Sequence, residues 1–250
     1  MLPPSIHVRD MSEEDAKVWI IDAIRGKHSD CRHHGYDEET VLRLEIENMR
    51  LFEKYKHLTF EPTEYTSHFD TYRCTFETTV LSGTGILDIG AGESGPLLCG
   101  QNTQMFQPPR MVIDPCPNLM SHIPTGWNGL CETGLNAIKH FGKNSFDHVQ
   151  SLETLEHMTQ KEAHQLAQDM YDMSRKTGLL TSAGLCVHLG PQTVAFLDRN
   201  PTMMYHGQPN IEVLMEIGYT VRLKTGYGIG YGCQIHAFFD KSRTFEVPTA

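Results

Sequence analysis

The chain has 250 residues, 39% hydrophobic and 21% charged, enough for a full hydrophobic core in one domain of ordinary to large size. Its formal net charge of −10 argues against tight binding to a phosphate backbone, which is driven by Lys and Arg, although a local basic patch stays compatible with it. No apolar run approaches the roughly 18 residues that a membrane span needs, and the amino-terminal MLPPSIHVRDMSEED lacks the apolar stretch of a signal peptide. The expectation is therefore a cytoplasmic protein with no membrane partner.

In chain order, Ser12 and Asp15 form an N-cap pattern that opens a helix through Val18, Ile21, Ala23 and Ile24. His28, Asp30, Cys31, His33 and His34 are metal-ligand residue types, but their spacing matches no structural zinc site, so no metal is expected. The other cysteines, out of seven in all, are scattered without a C-x-x-C pair, as reduced and mostly buried thiols are. Val41, Leu44, Ile46, Met49, Leu51 and Phe52 recur near helical spacing and predict a second helix from about Asp37 to Lys56. Tyr65, Phe69, Tyr72 and Arg73 could close over a ligand or simply pack on helices. Residues 1–80 are read as a helical cap, and 81–250 as a second, larger unit.

From residue 85 short apolar strands alternate with helical stretches. GILDIG (85–90), RMVID (110–114), a short piece near Gly129–Cys131, FDHVQS (146–151) and LCVHLG (185–190) read as strands. A helical run follows FDHVQS as far as Gly178, and IEVLMEIG (211–218) is a further helix. TVRLKTG and CQIHAFFD close the chain as a hairpin pair. Such alternation predicts an α/β fold: a doubly wound, mostly parallel, seven-stranded Rossmann-like sheet with an antiparallel edge hairpin and the amino-terminal helical cap.

The first strand ends in Asp88-Ile-Gly90-Ala-Gly92-Glu-Ser-Gly95. Glycines there let the backbone turn tightly and approach a ligand, with N–H groups at the following helix start. Alone, this pattern also fits a plain tight turn or a nicotinamide-dinucleotide site. Asp88, two residues before the first glycine, is poorly placed beside a pyrophosphate and suits a cationic ligand. No Lys-Ser/Thr pair follows, which excludes a Walker-type phosphate loop. Asp114 ends the second strand where a carboxylate can accept ribose hydroxyls, or where it serves as a solvated turn residue.

ILDIGAGESG, VIDPCPNL and NSFDHVQSLETLEHM, in this order, resemble three motifs of the class I S-adenosylmethionine-dependent methyltransferases, especially the group acting on small molecules. The resemblance covers roughly residues 80 to 240. It implies S-adenosyl-L-methionine as cofactor, with Asp88, Gly90 and Gly92 on its methionine part and Asp114 on its ribose. Gly134 and Leu135 would flank the adenine, although this chain has Glu132-Thr-Gly134-Leu135-Asn136 where the family commonly has Gly-Asp. Ser151, Leu152 and Glu153 would lie near the sulfonium.

Methyl transfer to a hydroxyl benefits from a general base, and His suits neutral pH. His157 is the leading candidate, with packing of the helix start as its alternative. Glu153 could orient it or bind substrate, sharing a helical turn with Glu156. His188 could face the site from a strand end or be buried there, and His206 sits in a loop where many relatives build a lid. The expected acceptor is a small molecule, plausibly a sugar or other polar metabolite bearing a hydroxyl. RNA or protein acceptors, a nicotinamide-dependent oxidoreductase and a noncatalytic scaffold are the rivals. A nucleic-acid partner is disfavoured by charge, and the oligomeric state is left open.

Overall fold

The computed structural model describes residues 12–24, 53–60, 83–92, 106–117, 125–183, 210–224 and 234–242, residue 123, and scattered positions between 39 and 50. Helix α1 spans Glu13–Ile24. Ser12 starts it as expected: its hydroxyl oxygen accepts the Asp15 N–H at 3.1 Å and its O–H donates to the Asp15 carboxylate. The described positions between 39 and 55 are helical, and the chain then leaves the helix through a tight turn at Lys56–Leu58. Two further residues, Thr59–Phe60, form β1, an eighth strand that a helical reading of the amino-terminal part did not foresee.

The remaining strands are β2 (Gly83–Ile89), β3 (Phe106–Asp114), β4 (Asn128–Cys131), β5 (Phe146–Leu152), β6 (Ser174–Ala183), β7 (Thr220–Lys224) and β8 (Gln234–Asp240). Their spatial order is β1-β7-β8-β6-β5-β2-β3-β4. All neighbours run parallel except β8, which lies antiparallel between β6 and β7. This is the doubly wound, mostly parallel sheet with its antiparallel hairpin toward one edge. The chain winds outward from β2 to β4, then returns to the opposite side of β2 with β5. That reversal is the topological switch point, where open α/β sheets bind ligands outside the carboxyl ends of their strands.

Three helices, α2 (Ala137–Phe141), α3 (Gln160–Met173) and α4 (Ile211–Ile217), pack with one another along one face. Thr159 and Glu162 cap α3 reciprocally, and Ala163, Leu166, Ala167, Met170 and Met173 bury its apolar stripe. Asn210 caps α4, and Gly218 closes it in the left-handed conformation, φ +117°. The core between these helices and the sheet includes Leu87, Ile89, Ile113, Val149, Leu180, Val221 and Ala237.

One element is shifted from its expected place. The helix ends at Met173, and strand β6 begins at Ser174 with no intervening loop. Arg175 and Lys176, good helix formers, are instead drawn onto Asp147 of the neighbouring strand. Gly178 has a steric reason as well, since a Cβ there would overlap the Phe239 ring. The strand following β5 in order is therefore 174–183, and residues 185–190 lie outside the described ones.

Candidate functional site

The carboxyl ends of β2, β3 and β5 gather most of the expected site residues. Asp88 is 2% exposed on β2 and pairs in register with Val112 and Gln150. Gly90 and Gly92 follow with φ of +73° and +61°, a left-handed backbone that only glycine adopts at no steric cost. The Gly90 N–H donates to the Ile113 carbonyl at 2.8 Å. A Cβ on Gly90 would overlap the Thr154 side chain, whereas at Gly92 no described atom stands within 4 Å. The first glycine is thus demanded by packing; the second meets no such neighbour among the described residues.

Asp114, also 2% exposed, ends β3. Its Oδ2 accepts the Gly92 N–H at 2.9 Å and its Oδ1 the Cys116 N–H at 2.8 Å. This carboxylate therefore anchors the glycine turn, a role that sequence reasoning missed. Each oxygen has two acceptor sites, so both keep capacity for a ribose hydroxyl.

Ser151 and Leu152 end β5, with the Ser151 hydroxyl donating to the Ile89 carbonyl at 3.0 Å. Glu153 follows at φ +54°, a costly conformation for a non-glycine residue and a common mark of functional sites. Its N–H donates to the Thr181 carbonyl at 3.0 Å, which fixes the turn to β6. Thr154, not singled out from the sequence, has its Oγ1 within 3.4 Å of the Ile89, Gly90 and Leu152 carbonyls. It bridges the β2 turn to the β5 end; a lone threonine past a strand carries no periodic signal that would reveal this.

His157 lies one turn further, half-buried in the short 3-10 helix Leu155–His157, its N–H donating to the Thr154 carbonyl. Beside it Glu156 is 1% exposed and accepts from Ser182 Oγ of β6 at 3.4 Å. Three carboxylates, Asp88, Asp114 and Glu156, are thus buried at one end of the sheet.

Gly134 and Leu135 sit in a 3-10 turn after β4. A Cβ on Gly134 would overlap Ile89 of β2, and Leu135 packs on the main core, so both have structural reasons for their identity. Glu132, at the end of β4, accepts from Asn136 Nδ2 at 2.7 Å and pairs with His140. The strand after β5 is described as far as Ala183, and His188 and His206 lie outside the described residues. So do Tyr65, Phe69, Tyr72, Arg73 and the His28–His34 segment.

No protein-family model matches the chain, and no curated protein matches it. Many solved structures do. An S-adenosylmethionine-dependent methyltransferase from Archaeoglobus fulgidus is 14% identical at TM-score 0.46, covering 63% of this chain and 86% of that one. An O-methyltransferase family protein from Burkholderia thailandensis is 12% identical at TM-score 0.45, covering 64% of this chain and 52% of the other. A phospholethanolamine N-methyltransferase from Haemonchus contortus, in complex with S-adenosylhomocysteine, is 16% identical at TM-score 0.42, covering 88% and 47%. The chain thus spans about half the length of the last two. At these identities and TM-scores the likenesses assign neither an activity nor a substrate; the site's own geometry has to carry the reading.

Proposed function

We propose that this protein is an S-adenosyl-L-methionine-dependent methyltransferase acting on a small-molecule acceptor, a hydroxyl of a sugar or similar polar metabolite. The observation that carries the reading is the glycine turn at the switch point, bracketed by the buried carboxylates of Asp88 and Asp114, with Asp114 accepting the Gly92 N–H. These residues fit the cofactor: Asp88 lies where a cationic ammonium would be received, and Asp114 keeps lone pairs for a ribose. Gly134 and Leu135 would contribute the adenine side, while Ser151, Leu152 and Glu153 would border the reacting end. The bound cofactor supplies an electrophilic methyl group on a sulfonium. The chain's own residues then align the acceptor and exclude water. His157 would receive the acceptor's proton, and Glu153 would bind the acceptor or orient His157. The formal net charge of −10 supports a small acceptor over a nucleic acid.

Calorimetric titration with S-adenosylmethionine, S-adenosylhomocysteine and NAD tests the reading. Selective binding of the first two is expected; binding of NAD alone overturns it. Once an acceptor is found, His157→Ala should lower kcat about 100-fold with cofactor affinity kept. Normal turnover would remove His157 as the base.

A further inference from the structure

The glycine turn is held from two sides. Backbone pairing of β2 with β5 runs as far as Asp88 and Gln150, and beyond that level side-chain hydroxyls join the two strand ends. Ser151 Oγ donates to the Ile89 carbonyl at 3.0 Å. Thr154 Oγ1 lies 3.2 Å from the Gly90 carbonyl, 3.3 Å from that of Leu152 and 3.4 Å from that of Ile89. On the other side the Gly90 N–H donates to the Ile113 carbonyl at 2.8 Å, and the Gly92 N–H to Asp114 Oδ2 at 2.9 Å. The turn is therefore strung between hydroxyls at the end of β5 and acceptors on β3.

Two successive carbonyls, those of Ile89 and Gly90, thus meet hydroxyls from the same strand end. An extended chain sends successive carbonyls to opposite neighbours, so this arrangement needs the left-handed Gly90, φ +73°. Thr154 fits that glycine closely, since a Cβ there would overlap both its Oγ1 and its Cγ2. A β-branched side chain has few χ1 choices, and its methyl, lodged beside Gly90, aims the hydroxyl at the carbonyls. Carbonyls only accept, so the Thr154 hydroxyl is the donor, with one proton shared among them.

The main chain of Thr154 serves the other half of the site. Its carbonyl accepts the His157 N–H at 3.1 Å. We propose that Thr154 is a positioning residue of the candidate site: its hydroxyl sets the glycine turn and its carbonyl sets the turn that carries His157, so one residue fixes the cofactor side against the candidate base. The functional half of this inference rests on the S-adenosylmethionine reading. Without the hydroxyl the turn loses its hold on the β5 side, and its settling against Asp114 has to accompany ligand binding, which costs affinity.

Titration of the full chain with S-adenosylmethionine reads the functional half. Thr154→Val keeps the shape and removes the hydroxyl, and should weaken binding about tenfold. Thr154→Ser, which restores the hydroxyl, should return most of that loss. Wild-type affinity in Thr154→Val overturns the proposal, as does a loss that Thr154→Ser repeats in full. Amide hydrogen exchange reads the turn itself without any ligand. Gly90 and Gly92 should exchange faster in Thr154→Val and return toward the wild-type rate in Thr154→Ser, while the amides inside α3 keep theirs. Unchanged exchange at both glycines overturns the proposal. Where Thr154→Val does not fold, Thr154→Ala, which fits the same space, takes its place with the same expected outcomes. A wild-type protein that binds no S-adenosylmethionine fells the functional reading alone, and the exchange comparison then decides whether Thr154 holds the turn.

Discussion

The two ends of the sheet bury carboxylates in opposite ways. At the amino end, Asp147 of β5 receives Arg175 Nε at 2.7 Å, Lys176 Nζ at 2.8 Å and the Thr84 N–H at 2.7 Å. Arg175 also donates to the carbonyls of Thr84, Asn144 and Ser145, which stitches the starts of β2, β5 and β6 together. Burial works to raise the Asp147 carboxyl, but Lys176, the Thr84 N–H and Arg175 prevail and hold it at about 2. At the carboxyl end, Asp114 is held by the Gly92 and Cys116 peptide N–H groups. A cation neutralises a buried carboxylate and finishes it as structure. Peptide dipoles orient the carboxylate and leave its charge for something else to meet. Identical chemistry thus builds a clamp at one end and the proposed receptor at the other.

The largest expected effect lies at the receptor end. Gly90→Ala puts a Cβ onto Thr154 and forces alanine to φ +73°, which should cost about 3 kcal/mol in urea unfolding. Adding Thr154→Ala should return part of that loss. Simple additivity of the two changes would mean that the overlap is not the cause.

Next comes the clamp. A carboxyl held at about 2 in place of its ordinary 3.8 corresponds to about 2 kcal/mol of stability. The folded-state value is the depressed one, so this contribution is present above 3.8 and lost as pH falls from there toward 2. Asp147→Asn should therefore unfold more easily at neutral pH, with the deficit closing across that acid window. Its affinity for S-adenosylmethionine should match the wild type, because the change lies at the far end of the sheet. A deficit that persists below pH 2, or a lost affinity, breaks the distinction between the ends.

The receptor end was the more legible of the two in the sequence. Asp88, Gly90, Gly92 and Asp114 stand out because a glycine turn between apolar strands has few physical explanations, and β2 to β5 fall where alternation puts them. The clamp left no such trace. Arg175 and Lys176 favour a helix locally, and partners distant in sequence, Asp147 among them, hold them in β6. Gly134 shows the converse, a glycine conspicuous in the sequence whose close fit against Ile89 becomes visible only once β2 and β4 share a sheet.

Asp114→Asn tests the receptor more gently. The amide keeps one acceptor for Gly92 or Cys116 but turns a donor on the other. Loss of the charge should weaken S-adenosylmethionine binding about tenfold, as for one charge-assisted hydrogen bond. An unchanged affinity in a folded variant would leave Asp114 an anchor of the turn and nothing more.

The smallest effect sharpens the clamp itself. Among the groups that hold Asp147 down, Lys176 acts most strongly, yet its side chain is 55% exposed while that of Arg175 is 38% exposed. Water screens the lysine, and a half-exposed pair contributes little, about 0.5 kcal/mol. Lys176→Met should therefore cost about that much in unfolding, because Arg175 and the Thr84 N–H still satisfy both carboxylate oxygens. The Asp147 carboxyl carbon, followed by NMR, should titrate higher than in the wild type. A loss as large as that of Asp147→Asn would show that the clamp works through its net charge, and not through the bonds that saturate its oxygens.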